Sequence, residues 1–98
     1  MFRTVPEYEN ILYNSENSPF AYQINKKITD RDHFKHAWHE EIEIKYIVSG
    51  AVNISVGGER IDAHAGDVVI INPCEHHINE MKVGDEAVCN ILCVDLSR

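Results

Sequence analysis

His36-Ala37-Trp38-His39-Glu40-Glu41-Ile42-Glu43-Ile44-Lys45-Tyr46-Ile47-Val48-Ser49-Gly50 is the stretch on which the reading of this chain turns. Ile42, Ile44, Tyr46 and Val48 alternate with Glu41, Glu43, Lys45 and Ile47. A period of two marks a strand buried on at least one face. Side chains two or four apart share a face, so Ala37, His39, Glu41 and Glu43 point one way. His36 points the other way unless a bulge intervenes. Gly50 then permits a tight reversal. The even positions are the greasier set and could form the core, which would leave His39 and Glu43 outside. The odd positions carry the polar groups together with Ile47. With Tyr46 and the isoleucines packed behind them, they would suit a sheet covered on both faces.

Beyond Gly50, Val52, Ile54 and Val56 alternate with Asn53 and Ser55, and Gly57-Gly58 supplies a two-residue hairpin turn. The return strand covers 59–63, and Ala65-Gly66-Asp67 is a second turn. Val68-Val69-Ile70-Ile71 is a β-branched run too short for a helix, which predicts a strand buried on both faces. Asn72-Pro73 ends it. Cys74-Glu75-His76-His77 leads into another strand, Val83-Gly84-Asp85 is a turn, and 87–96 is a last apolar strand. On the N-terminal side, 29–32 is a polar turn and 20–28 alternates like a strand. Residues 14–19 read as a loop, and 7–13 fit a short strand or a turn of helix. Seven or eight short strands with no convincing helix predict an all-β sandwich or barrel. The division is an N-terminal segment over 1–19 and one barrel over 20–98.

The totals narrow the function. A 98-residue chain with 44% hydrophobic and 26% charged residues is one small globular domain. Its net charge of −7 opposes a phosphate backbone, so the chain alone does not suit nucleic acid. No apolar run can cross a bilayer, and no apolar h-region follows the N-terminus. Cys74, Cys89 and Cys93 are odd in number and lack a Cys-x-x-Cys pair. That usage fits a reducing, cytoplasmic setting.

Two segments resemble the cupin superfamily, a double-stranded β-helix or jelly-roll barrel: His39-x-x-x-Glu43 followed by Gly50, and Gly58 through Ala65-Gly66-Asp67 and Pro73 to His77. The wording is more similar still to the N-terminal effector-binding cupin of AraC-type transcription regulators, in Trp38-His39-Glu40-Glu41-Ile42-Glu43-Ile44 and in Gly66-Asp67-Val68-Val69-Ile70-Ile71-Asn72-Pro73. The resemblance implies a barrel that binds a small effector and dimerises. It also implies a C-terminal helix-turn-helix pair that contacts DNA. No basic helical region follows Leu96, so the chain reads as a fragment of a longer regulator, meeting DNA only through a region it lacks. Two positions depart from the motifs: Ala37 stands where the first histidine is expected, and Ala65 where a proline is expected.

The resemblance turns the odd face inward and brings His39, Glu43 and His77 into one cavity. Two imidazoles and a carboxylate suffice for Zn, Fe, Mn or Ni, with one usual ligand missing. Trp38 beside them suits stacking on a sugar, or capping of the core. Glu41 shares the odd face. The candidate ligand-binding set is therefore Trp38, His39, Glu41, Glu43 and His77, with His39, Glu43 and His77 as metal candidates. By default Glu40, Glu41 and Lys45 are solvated charges, though Lys45 could neutralise Glu43 or an anionic ligand. His76 reads as a surface residue and Cys74 as a loop thiol, a soft ligand only if a metal is near. A helical ladder through His33, His36 and His39 is opposed by the β pattern that follows. The last strand carries Val88, Ile91, Leu92, Val94 and Leu96, apolar on both faces, which points to a homodimer or a neighbouring domain.

The expected function is a binding module that senses a small polar, sugar-like metabolite, requires no cofactor, and is not an enzyme. The alternative is a stand-alone metal-dependent cupin enzyme, an isomerase or dioxygenase. A third possibility is a ligand-free dimerisation unit.

Overall fold

The computed structural model describes residues 7–9, 11, 13, 18–32 and 36–97, with the backbone alone at Glu7, Asp32 and His36. Its strands are β1 (Glu7–Tyr8), β2 (Phe20–Thr29), β3 (His36–Trp38), β4 (Ile42–Val56), β5 (Glu59–His64), β6 (Val68–Ile71), β7 (His77–Glu80) and β8 (Glu86–Val94). The only helical turn among the described residues is a 3₁₀ turn, Asp30–Asp32. The architecture is the expected all-β jelly roll, and it is built on β4.

β4 runs through both sheets. Its first part pairs antiparallel with β6, from Glu43↔Ile71 to Tyr46↔Val68, and with β8, from Ile42↔Val94 to Gly50↔Ala87. Its second part pairs with β5, from Ala51↔His64 to Val56↔Glu59, and with β7, from Asn53↔Glu80 to Val56↔His77. β2 extends the first sheet beyond β8. β3 extends the second beyond β7, and β1 lies parallel to β3.

Gly50 therefore makes no reversal. The chain passes straight through it at φ 76, and a Cβ there would lie 2.2 Å from the Glu86 carbonyl oxygen. Glycine is required for close backbone approach as well as for conformation. Just before it, the β4–β8 register shifts between Ile47 and Ser49. An extra residue in one strand reverses which side chains face inward. Odd positions are buried up to Ile47, and even positions, Val52, Ile54 and Val56, afterwards. With Ile71, Val69 and Cys89 they form the core between the layers. Gly57 and Gly58, both at positive φ, make the expected turn into β5.

β6 departs from expectation. Val69 and Ile71 are buried, but Val68 and Ile70 are 56% and 54% exposed. A β-branched run specifies a strand, and whether its outer face is covered depends on what lies beyond it. Register aligns Ile70, Ile44, Leu92 and Tyr22 side by side across β6, β4, β8 and β2. Tyr46 and Val68 sit next to that row on the same outer face. The surplus apolar face predicted for the last strand is this surface, since β8 turns Ala87, Cys89 and Cys93 inward.

Candidate ligand and metal site

Three remote parts of the chain build the site. His39 lies in the short connection between β3 and β4, and Glu43 comes from the odd face at the start of β4. His77 opens β7, where it pairs with Ala37 of β3. The Cys74 amide donates to the His39 carbonyl at 2.7 Å, tying the loop before β7 to the strand before β4. Glu9 follows β1, and its amide donates to the Trp38 carbonyl at 2.8 Å.

Backbone carbonyls orient both imidazoles. The His39 Nδ1 lies 3.0 Å from the Glu41 carbonyl oxygen, and the His77 Nδ1 lies 3.2 Å from that of Glu75. A carbonyl only accepts, so both Nδ1 atoms carry hydrogen and both Nε2 atoms are left to act as acceptors or ligands. The rings meet edge-on, centroids 5.0 Å apart. The His39 Nε2 is 3.1 Å from Glu43 Oε1 and 3.9 Å from Glu9 Oε1. An acceptor nitrogen cannot face a carboxylate oxygen at 3.1 Å with nothing between them; a proton or a metal cation has to be shared.

The titration behaviour follows from that contact. Burial by itself would lower the His39 pKa, but the hydrogen bond to Glu43 and the surrounding negative charge outweigh it and raise it. For Glu43, burial raises the pKa, while the His39 hydrogen bond, Lys45 and His77 together hold it down to about 2. Burial lowers the His77 pKa, partly offset by Glu43. The Cys93 thiol, 3.9 Å from Glu43, is pushed up to about 12 by burial and by that carboxylate, so it stays protonated.

A cavity of about 270 Å³ opens onto this cluster. Glu9, Glu43, Lys45, His77, Asn79 and Gln23 supply polar groups to its wall, and Ala37, Ile28 and Ile91 supply apolar surface. His39 lies behind that wall with 1% exposure. The Asn79 Oδ1 is buried in the wall with no hydrogen-bond partner among the described residues.

The structure thus brings His39, Glu43 and His77 together. Glu41 shares their face and is buried, but it turns aside and accepts a hydrogen bond from the Tyr13 hydroxyl. Trp38 packs edge-on against Tyr8, ring centroids 4.9 Å apart, and does not line the cavity. Reading Glu41 and Lys45 as solvated charges by default fails. Lys45 is 2% exposed, with Nζ 3.4 Å from Glu43 Oε2. Alternation assigned its face correctly, and the partner carboxylate makes the buried ammonium tolerable. His76 and Cys74 are exposed, apart from the cluster. His33 and the His36 side chain lie outside the described residues; His36–Trp38 is strand, not helix. Glu9 escaped sequence reasoning because the residues around it carry no periodic pattern.

Glu9, His39, Glu43 and His77 each offer one ligand atom, and these atoms lie within 4.8 Å of one another. Donors about 2.0–2.2 Å from a divalent ion stand roughly 3–4 Å from their neighbours, so modest closure would satisfy such an ion. The His39–Glu43 contact fits the same group, with the ion taking the place of the shared proton. Lys45, on the other oxygen of Glu43, would favour a single oxygen bond to it. A divalent ion bound there would act as a Lewis acid toward an oxygen ligand in the cavity.

An uncharacterised HTH-type transcriptional regulator from Bacillus subtilis is 33% identical over 60 residues, which is 61% of this chain but only 20% of the regulator. Among solved structures, a cupin protein from Bacteroides fragilis superposes with TM-score 0.63 at 20% identity, covering 79% of this chain and 64% of that one. A cupin-2 domain protein from Shewanella frigidimarina gives 0.62 at 18% identity over 90% and 82%. A predicted oxalate decarboxylase from Thermotoga maritima gives 0.55 at 22% identity over 76% and 64%. At these identities the structural likeness is one of fold. No described helix is long and apolar enough to cross a membrane. The Cupin domain family matches residues 29–95, more than half of the 98-residue chain, and the chain belongs to that family.

Proposed function

We propose that this chain is the effector-binding, dimerising unit of an AraC-type, helix-turn-helix transcription regulator, taking a small hydroxylated metabolite in its cavity. The regulator likeness supports the context, and the observation that carries the ligand class is Asn79. A buried acceptor without a donor destabilises a protein by about 1–3 kcal/mol, and a ligand hydroxyl would relieve it. The cavity of about 270 Å³ suits a molecule of sugar size, near the lower end of the usual range of ligand sites. Binding there would bias an equilibrium sensed by the DNA-contacting part through different affinity for two states.

A library of sugars, polyols and hydroxy acids, screened by thermal unfolding, tests this. A ligand at 100 times its Kd stabilises by about 2.7 kcal/mol, a Tm rise of roughly 10 °C or more. Asn79→Ala should abolish most of that rise without lowering the ligand-free Tm. No response to any member of the library would remove the reading.

The dimer would use the outer row Ile70, Ile44, Leu92 and Tyr22, since a contiguous apolar face marks an association surface. Ile70→Lys is expected to turn a dimer into a monomer by light scattering, with little change in ligand-induced stabilisation. Wild-type protein that stays monomeric at high concentration would contradict it.

A second reading, a metal-dependent cupin enzyme, draws on the four-donor cluster at the cavity floor. In that case His39, Glu43 and His77 would hold the ion, while Lys45 and Asn79 would orient the substrate. Turnover lost together with the metal would select it.

A further inference from the structure

His39, Glu43 and His77 were candidates from sequence; Glu9 was not, and it is the residue that completes the set. We propose that Glu9 is the fourth protein ligand of a divalent first-row transition-metal site whose other ligands are His39, Glu43 and His77. This goes beyond the effector reading, and it holds whether the cavity receives a metabolite or a substrate.

Position comes first. β1 runs parallel to β3 with Glu7 beside Ala37 and Tyr8 beside Trp38, and Glu9 is locked by its amide to the Trp38 carbonyl. Ala37 has only a methyl group, and it lines the same cavity wall as Glu9. The carboxylate of Glu9 stands 3.9 Å from the His39 Nε2. A residue about 30 positions before His39 thus supplies the fourth donor atom of the cluster.

Charge comes second. Two carboxylates and two neutral imidazoles carry −2, and with the Lys45 ammonium on Glu43 the net charge is −1, which still attracts a dication. Lys45 sits on the outer oxygen of Glu43, 3.4 Å away, and leaves Oε1 facing the His39 Nε2.

Donor chemistry comes third. Both imidazoles turn Nδ1 to a backbone carbonyl, which leaves Nε2 toward the cluster. The His77 Nε2 has no hydrogen-bond partner among the described residues. Two imidazole nitrogens with two carboxylate oxygens favour Mn, Fe, Co, Ni or Zn over all-oxygen Ca or Mg sites and over thiolate-loving Cu(I).

The test is calorimetric titration of chelator-stripped, tag-free protein with Zn²⁺ and Mn²⁺, together with the absorption spectrum of the Co²⁺ form. Wild type should bind one equivalent. Because even residues that only support a ligand change affinity by about 10–100-fold, Glu9→Gln should weaken binding by about 100-fold or more and alter the Co²⁺ spectrum. Its metal-free Tm should match wild type. In Glu9→Ala, added acetate should restore part of the affinity by filling the vacated position, an effect that a merely structural role would not give. Glu40→Gln, exposed and next in sequence to the cluster, should change nothing. Equal affinity in wild type and Glu9→Gln overturns the proposal, as does wild type that binds no metal. Neither result bears on the metabolite screen, so the two readings fail separately.

Discussion

Gly50→Ala is expected to lower stability by about 3 kcal/mol or more, a large share of the roughly 5–15 kcal/mol available to a domain. Two effects add. An L-residue at φ 76 carries about 1–2 kcal/mol of backbone strain. The new Cβ would also stand 2.2 Å from the Glu86 carbonyl oxygen and 3.0 Å from the Ala87 Cα. Backbone atoms cannot swing aside as a side chain does, so the β4–β8 ladder must open where Gly50 pairs with Ala87. A Tm loss of more than about 12 °C follows for a chain of this size. Gly66→Ala is the comparison: φ is 93, but nothing lies within 4 Å of its Cβ position, so the strain acts alone. Equal losses in the two variants would show that the close approach at Gly50 does not matter.

Lys45→Met is expected to destabilise by about 3–5 kcal/mol, the usual loss when one partner of a buried ion pair is removed. Lys45 and Glu43 are both nearly inaccessible to water, and Lys45 is the ammonium that contacts that carboxylate. Without it, Glu43 keeps the hydrogen-bonded contact with His39 but loses the ammonium that balances its charge. Replacing both partners, Lys45→Met with Glu43→Leu, should recover most of the loss, because an apolar pair of similar volume removes the uncompensated charge. Chemical denaturation of the two singles and the double gives the coupling directly. Strict additivity of the single effects would mean that the pair is not coupled and that Lys45 is held by packing of its stem.

How much of this was legible varied along the chain. Alternation placed His39, Glu41, Glu43 and Lys45 on one face, and the motif likeness turned that face inward. The environment of each residue was less legible. Lys45 and Glu41 look like surface charges in a string of letters, because burial depends on what the fold brings opposite. The inversion after Ile47 was hidden because the bulge falls in Ile47-Val48, where either residue could be core. Gly50 was misread because a glycine needed for a turn and one needed for close approach are written alike. The β-branched residues of β6 specify a strand without saying whether its outer face is covered. Glu9 is the extreme case: β1 is two residues long, too short for any period, and its placement comes from a parallel contact with β3.

One junction in β4 has a mechanical consequence. Glu43 faces the hollow while Ile44, the next residue, stands in the apolar row on the outside. A single peptide plane is all that separates interior from exterior at that point. A ligand that drew on the carboxylate would load that plane, held between β6 and β8, and through it the isoleucine on the far side.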